Sequence, residues 1–231
     1  MTQTAYPHFQ LADGRPTGET PLPSAFHARF ASHFVGQRTD DGIWPPHSKH
    51  PDATRHYRAG QSALYEAKDP LAAIAAYEAA LDADPVYFQA WVALSIALIT
   101  DNTPESLDEA CRILDALAEV PVGTDGIPVG AASIVRQNRA YLALHRWRQG
   151  EGDDWLKDAD RHYAKAAALG APARVEMLCP WAAVRLALGE PDSARNLLEE
   201  AGRSMPALIP EYVAKYPDLA RIAPIPPEEP S

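Results

Sequence analysis

The chain is poor in cysteine and in positive charge. Only two of its 231 residues are cysteines, Cys111 and Cys179, and two isolated cysteines provide neither a disulfide framework nor the ligand spacing of a metal cluster. We expect both thiols to be small buried hydrophobic groups in a reducing cytosol. The formal net charge of -10, from 31 acidic and 21 basic residues, repels phosphate backbones and argues against nucleic acid as a partner.

Long apolar stretches and targeting signals are also missing. No apolar run approaches the roughly 20 residues that span a bilayer, so we expect no membrane span. The N-terminal stretch lacks the basic region and the apolar region of a signal peptide. The sequence therefore predicts a soluble, cytoplasmic protein, and its Ala, Arg, Asp and Pro usage is typical of a high-GC bacterium.

Motifs for catalysis and for cofactor binding are scarce. The sequence has no glycine-rich phosphate loop, no nucleophile elbow and no His-Glu-x-x-His helix. We therefore expect a protein that is not an enzyme and needs no cofactor. His47, His50 and His56 could supply ligands to a metal ion, but no cysteine accompanies them in this loop. Ordinary loop histidines are the favoured interpretation, and no metal site is predicted.

Proline and glycine divide the chain into three regions. Residues 1–53 are predicted to form an N-terminal extension that is rich in proline. Proline lacks a backbone donor and fixes φ, so this region is expected to be mostly extended chain. Residues 54–206 carry helical periodicity almost throughout, without strand signals. Residues 207–231 are expected to form a C-terminal helix and then a mobile, proline-rich acidic tail.

The N-terminal extension contains one short amphipathic segment, from Ser24 to Phe34. Phe26, Phe30 and Phe34 are four residues apart and therefore fall on one face of a helix. So short a helix is marginal on its own. We expect its phenylalanines to pack on the helical region and cover the first repeat.

A pattern of small, large and small residues followed by proline recurs along the helical region. The spacings are 4, 3 and 5 residues, or within one residue of them before the proline, in four segments: Ala73, Tyr77, Ala80, Pro85; Ala110, Leu114, Leu117, Pro121; Ala159, Tyr163, Ala166, Pro172; and Ala194, Leu198, Ala201, Pro206. The first residues of these segments are 37, 49 and 35 apart. These steps correspond to a period of about 34 residues with insertions.

This recurring pattern resembles the tetratricopeptide repeat family over roughly Thr54 to Pro206. The resemblance implies an all-α fold, an α-α superhelix of about four antiparallel helix pairs, with an extended N-terminal segment. Small residues in the second helix of each pair allow close approach of its neighbours, and the proline ends that helix. In the first helix, Tyr57 matches the family's large aromatic residue, whereas Gly60 lies one residue ahead of the usual small position.

The resemblance also implies that the first helices line a groove that binds a peptide or a partner helix. The residues that it places on this groove are Arg55, Arg58, Ser62, Tyr65, Tyr87, Ala90, Leu94 and Leu98. The clamp with which some members hold a terminal carboxylate is not intact, because its sites read Arg58, Ser62 and Trp91. We therefore do not expect binding of chaperone tails.

The segment from Arg136 to Gln149 is basic and aromatic in an otherwise acidic protein. Arg136, Arg139 and Arg146 fall close to one stripe of a helix and could bind the carboxylates of an acidic partner. The alternative is pairing with the chain's own acids, such as Asp153. We favour internal pairing for Arg146 and partner contact for Arg139, and include Arg136 with Arg139 among the predicted binding residues.

The sequence is best explained by a protein-protein interaction scaffold that binds another protein or a peptide in the groove. The alternative is an accessory or regulatory subunit bound permanently to an enzyme or a secretion complex, since long insertions between repeats disturb a regular groove. Homo-oligomer formation is open under both interpretations.

Overall fold

A computed structural model describes residues 48–123, 127–170 and 174–222. The predicted phenylalanine helix of residues 24–34 and the acidic tail after residue 222 lie outside these ranges, so the helix and the tail stay predictions. His47 also lies outside them.

The described residues are almost entirely helical. They form nine α-helices, labelled in chain order: α1 Pro51–Gln61, α2 Pro70–Ala83, α3 Phe88–Asp101, α4 Pro104–Ala118, α5 Val129–Arg148, α6 Asp153–Ala168, α7 Val175–Ala187, α8 Pro191–Ser204 and α9 Ile209–Lys215. A π-helical turn, Ser62–Glu66, continues α1, and two 3-10 segments, Pro206–Leu208 and Pro217–Arg221, flank α9.

The all-α prediction is confirmed. Across the described ranges the one β feature is an isolated bridge between Val122 and Ile127, in the loop that joins α4 to α5. Among the same residues, no helix combines the length and the apolarity that crossing a membrane requires.

The chain divides into two compact units, residues 1–139 and residues 140–231. The division falls inside α5, so the first half of this helix belongs to one unit and the second half to the other.

In the first unit, helices α1 to α4 pack in sequential pairs. The turns between them span only a few residues, so neighbouring helices run antiparallel. Each second helix of a pair starts on a proline preceded by a capping side chain. The Asp69 carboxylate accepts from the backbone N–H of Ala72 at the start of α2, and the Thr103 hydroxyl accepts from that of Ser106 at the start of α4. These bonds satisfy donors that a helix start leaves open.

In the second unit, α7 packs against both α6 and α8. Asp160 of α6 joins this helix to α7. Its Oδ1 accepts a hydrogen bond from Trp181 Nε1 at 2.8 Å and lies 2.6 Å from Arg185 Nε. The ring of Trp181 also stacks on Tyr163 of α6, with centroids 6.2 Å apart. Pro180 lies within α7 and is buried.

The positions singled out by the repeat pattern form the core of the second helices α2, α4, α6 and α8. All twelve small and large positions are buried, none more than 2% exposed. Pro85, Pro121 and Pro206 follow the ends of α2, α4 and α8, and Pro172 lies outside the described residues. The pattern therefore predicted the helix-pair architecture correctly.

Ala80 provides a direct test of this register. Its side chain is fully buried in α2, so Ala80→Leu is expected to overpack the helix contacts and to cost about 1–3 kcal/mol. Thermal melts of the two forms measure this cost. An unchanged or higher melting temperature for Ala80→Leu would contradict the buried placement.

The structure explains the one-residue offset of Gly60. In the π-helical turn after α1, the backbone N–H of Ala67 donates to the carbonyl of Ser62, five residues earlier. A π turn accommodates one residue more than an α turn, so the extra residue is absorbed between Gly60 and α2. Gly60 itself faces Tyr77 so closely that a Cβ atom would lie 2.6 Å from the ring atom Cε1.

Candidate functional site

Half of the predicted groove residues of the first repeat and its neighbour are open to solvent. Arg55, Arg58, Ser62 and Tyr65 are all exposed, and Tyr65 keeps 54% of its surface accessible. Two of them interact locally: Arg55 pairs with Asp52 one turn away, and the Ser62 hydroxyl donates to Glu66. Their predicted role in binding stays a prediction.

The residues predicted from the second repeat lie in the interior instead. Tyr87, Ala90, Leu94 and Leu98 are at most 3% exposed, so the prediction that they line an open groove is wrong. The reason is that α3 is apolar on every face, and a helix of that kind is buried all round. These side chains hold the first unit together.

The prediction that Arg139 contacts a partner is also wrong. Arg139 is only 6% exposed, and its Nε donates to Asp115 Oδ1 at 2.7 Å. Arg136 is likewise engaged within the chain, because its Nη2 donates to the carbonyl of Ala118 at 2.8 Å. Both arginines therefore join the first half of α5 to the end of α4, where carbonyl groups of a helix lack internal donors.

Internal pairing of Arg146 is confirmed, with Glu151 as a partner. Its Nη1 donates to Glu151 Oε2 at 3.0 Å, and its guanidinium lies 4.7 Å from the ring centroid of Trp155. A guanidinium over an aromatic face is attracted by the ring quadrupole. The stripe of three arginines is therefore structural.

A different basic surface, one that the repeat pattern did not reveal, lies in the second unit. Here a cleft of about 260 Å³ opens between three elements: the end of α5, the end of α7 and the segment from Tyr216 to Arg221. We call it the C-terminal cleft. Its lining is Leu144, Trp147, Arg148, Ala183, Leu186, Ala187, Tyr216, Pro217, Asp218 and Arg221.

Exposed cations surround this cleft. Arg148 lies with its guanidinium carbon 5.3 Å from the ring centroid of Tyr216. Lys215 Nζ lies 5.8 Å from the same ring and 5.0 Å from that of Tyr141. Among the described residues, no carboxylate forms an ion pair with Arg148, Lys215 or Arg221. The rings hold two of these cations in place, while their charge stays available.

Two tyrosines, the buried Tyr216 and the partly buried Tyr212, lie near these cations in the chain. Burial raises the pKa of Tyr216 above its usual value and raises that of Tyr212 to about 12, so both phenols are neutral at physiological pH. Burial and then the neighbouring Arg148 lower the pKa of His145, so its ring is predominantly neutral there. The positive charge of the site therefore comes from Arg148, Lys215 and Arg221.

The two cysteines differ in their surroundings. Both are free thiols, but Cys179 is buried whereas Cys111 is partly exposed, so the prediction of two buried thiols holds for Cys179 alone. Burial raises the pKa of Cys179 to about 11.

We expect Cys111 to react with a thiol reagent at pH 8 well before Cys179. The thiolate is the reactive form, and a pKa of about 11 leaves Cys179 almost wholly protonated at that pH. Mass spectrometry of partly labelled protein measures both rates, with Cys111→Ser as the control in which the fast adduct disappears. Fast labelling of Cys179 in that variant would show that its surroundings open.

The structure describes only two of the three loop histidines considered as metal ligands. His50 and His56 lie among the described residues, and His47 does not. Within the described ranges, no three His, Cys, Asp or Glu side chains come together as a group that could hold a metal ion.

Comparison with protein-family models, with curated proteins and with solved structures finds no match to this chain.

Proposed function

We propose that this protein is a non-enzymatic interaction scaffold of tetratricopeptide-repeat type, which binds another protein chain through its C-terminal cleft. One observation carries the proposal. In a chain of net charge -10, Arg148, Lys215 and Arg221 stand exposed around one cleft without a carboxylate partner among the described residues.

The excess of acidic over basic residues in this chain makes unpaired cations unexpected. Several other arginines of the described chain pair with its own acids, as Arg139 does with Asp115 and Arg185 does with Asp160 and Glu190. With 31 acidic residues present, leaving three neighbouring cations unpaired favours a role outside the chain. Arginine is also enriched where protein surfaces meet.

The helix-pair architecture supports the same function. Arrays of helix pairs commonly bind other proteins. The cleft is built mainly on α5 and α7, the first helices of two consecutive pairs, which is where the resemblance implies partner contact.

Charge reversal in the cleft tests the proposal. Full-length protein is used to capture partners from the native organism, in parallel with Arg148→Glu/Arg221→Glu and with a control, Arg174→Glu/Arg203→Glu. Both control arginines are exposed and unpaired among the described residues, and the change in net charge is the same. We expect the same co-purifying chain with the native protein and the control, and its loss with the cleft variant. Equal capture by all three forms would contradict binding through the cleft.

A further inference from the structure

The size of the C-terminal cleft limits what it can hold. Its volume of about 260 Å³ lies below the roughly 300–1,000 Å³ typical of pockets for small molecules and cofactors. The cleft is also open to the surface and bordered by exposed residues. These dimensions suit one large side chain projecting from a partner better than they suit a complete cofactor.

The walls of the cleft determine the chemistry of that side chain. Most of the lining is apolar, from Leu144, Leu186, two alanines and Pro217, and the rings of Trp147 and Tyr216 complete it. An apolar group gains free energy in proportion to the apolar surface that it buries. Aromatic rings among these walls also favour an aromatic or a large aliphatic guest.

Charge is distributed around this apolar lining. Arg148 and Arg221 border the cleft on two different elements, and Lys215 lies one residue before Tyr216. Asp218 lies on the same cleft, so an anion entering beside it would be repelled. The inserted group should therefore be neutral, and negative charge should lie next to it, against the arginines. Arginine binds carboxylates through paired parallel hydrogen bonds.

We propose that the C-terminal cleft binds a peptide segment of a partner protein in which one large apolar side chain is flanked by acidic residues. The apolar side chain enters the cleft between α5 and α7, and the flanking carboxylates bind Arg148 and Arg221. This inference rests on the proposed scaffold function and adds the class of its partner.

Fluorescence polarisation with synthetic peptides tests the proposal. The probe is a short labelled peptide with one central phenylalanine between glutamates. Two matched peptides change one feature each: alanine replaces the phenylalanine, or glutamines replace the glutamates. The protein is full length and carries Glu228→Gln/Glu229→Gln, so that acids of its own tail do not compete.

We expect the probe to bind at least about tenfold more tightly than either matched peptide, which corresponds to about 1.4 kcal/mol. Binding of the probe should weaken with added salt, because exposed ion pairs are screened. Equal binding of the alanine peptide would overturn the inference that an apolar side chain enters the cleft. Equal binding of the glutamine peptide would overturn the inference that flanking carboxylates bind the arginines.

Two protein variants assign the binding to this cleft. Ala187→Phe places a ring at an exposed lining position on the last turn of α7. It should weaken binding of the probe by about tenfold or more. Arg148→Gln/Arg221→Gln should do the same without touching the core, whereas Arg174→Gln/Arg203→Gln should bind as the parent protein does. Unchanged binding by the Arg148→Gln/Arg221→Gln variant would overturn the assignment.

The outcome also separates this inference from the scaffold function. If the peptides show no preference but charge reversal in the cleft still abolishes capture of a partner, the partner class is wrong and the binding function stands. If neither the peptides nor the capture depend on the cleft, both proposals fail.

Discussion

Replacing Trp91 by alanine is expected to lower the free energy of unfolding by about 3–5 kcal/mol. Trp91 is the largest of the fully buried side chains among the described residues. Its Nε1 also donates to the carbonyl of Pro85 at 2.9 Å, which ties α3 to the turn after α2. The alanine variant loses the buried ring and leaves that carbonyl without its donor.

Urea denaturation followed by far-UV circular dichroism measures this loss. Trp91→Phe is the matched control, since it keeps an aromatic ring in the core and removes the indole N–H that donates to Pro85. Its loss should be smaller than that of the alanine variant and includes about 1–3 kcal/mol for the hydrogen bond. Typical domains are stable by only about 5–15 kcal/mol, so the alanine variant should unfold the first unit at markedly lower urea. A loss below about 1 kcal/mol would show that α3 is not enclosed.

Substitution of Gly60 by alanine should destabilise the protein, although alanine is the better helix former. Its Cβ would lie 2.6 Å, 2.7 Å and 2.9 Å from three atoms of the Tyr77 ring. That ring is fully buried, with Tyr57 beside it at a centroid distance of 5.8 Å, so it has little room to move. Overpacking of this kind costs typically about 1–3 kcal/mol, which exceeds the gain of up to about 1 kcal/mol from helix propensity.

Gly202→Ala is the matched control for this prediction. Gly202 also lies inside a helix, α8, and a Cβ there would meet nothing within 4 Å. The same substitution should therefore raise stability by up to about 1 kcal/mol at Gly202 and lower it at Gly60. In a Tyr77→Leu background the same Gly60→Ala substitution should cost less, because the clash with the ring is removed. A stabilising effect of Gly60→Ala alone would refute the close contact.

The core of the helix pairs was predictable from the sequence because local and tertiary requirements coincide there. At Ala73, Ala80, Ala194 and Ala201 a small side chain permits close helix contact, and alanine also favours the helix. A single pattern therefore reports both the helix and its buried face.

The groove lining of α3 was not predictable in the same way. The position of Leu94 within the repeat predicts which face of the helix this residue occupies. The repeat position does not predict whether other parts of the chain cover that face. The uniform apolarity of α3 was the available signal, since a helix with an open groove face would carry polar residues on it.

The arginines show why charge along a helix is ambiguous in sequence. Arg139 is paired with Asp115, which is 24 residues away, and only the tertiary fold brings the two together. Arg146 has its acid five residues ahead, within reach of local reasoning. Internal pairing was therefore predictable for Arg146 alone.

The C-terminal cleft escaped prediction because three separate segments build it. Arg148 ends α5, Ala187 ends α7, and Arg221 closes the last 3-10 segment. Arg148 lies in the basic and aromatic segment from Arg136 to Gln149, but nothing in that segment indicates the other two. The available signal was the basic and aromatic stretch from Tyr212 to Arg221 directly before an acidic tail.

The most direct test of the scaffold account is photo-crosslinking from within the C-terminal cleft. A photoreactive amino acid replaces Ala187, which lines the cleft, or Ala168, which is also exposed and lies at the end of α6. Both full-length forms are irradiated in cells of the native organism. The account predicts one discrete adduct from position 187 that is lost on adding Arg148→Glu/Arg221→Glu, and no such adduct from position 168. Adducts that form equally from both positions, or that persist after charge reversal, would contradict it.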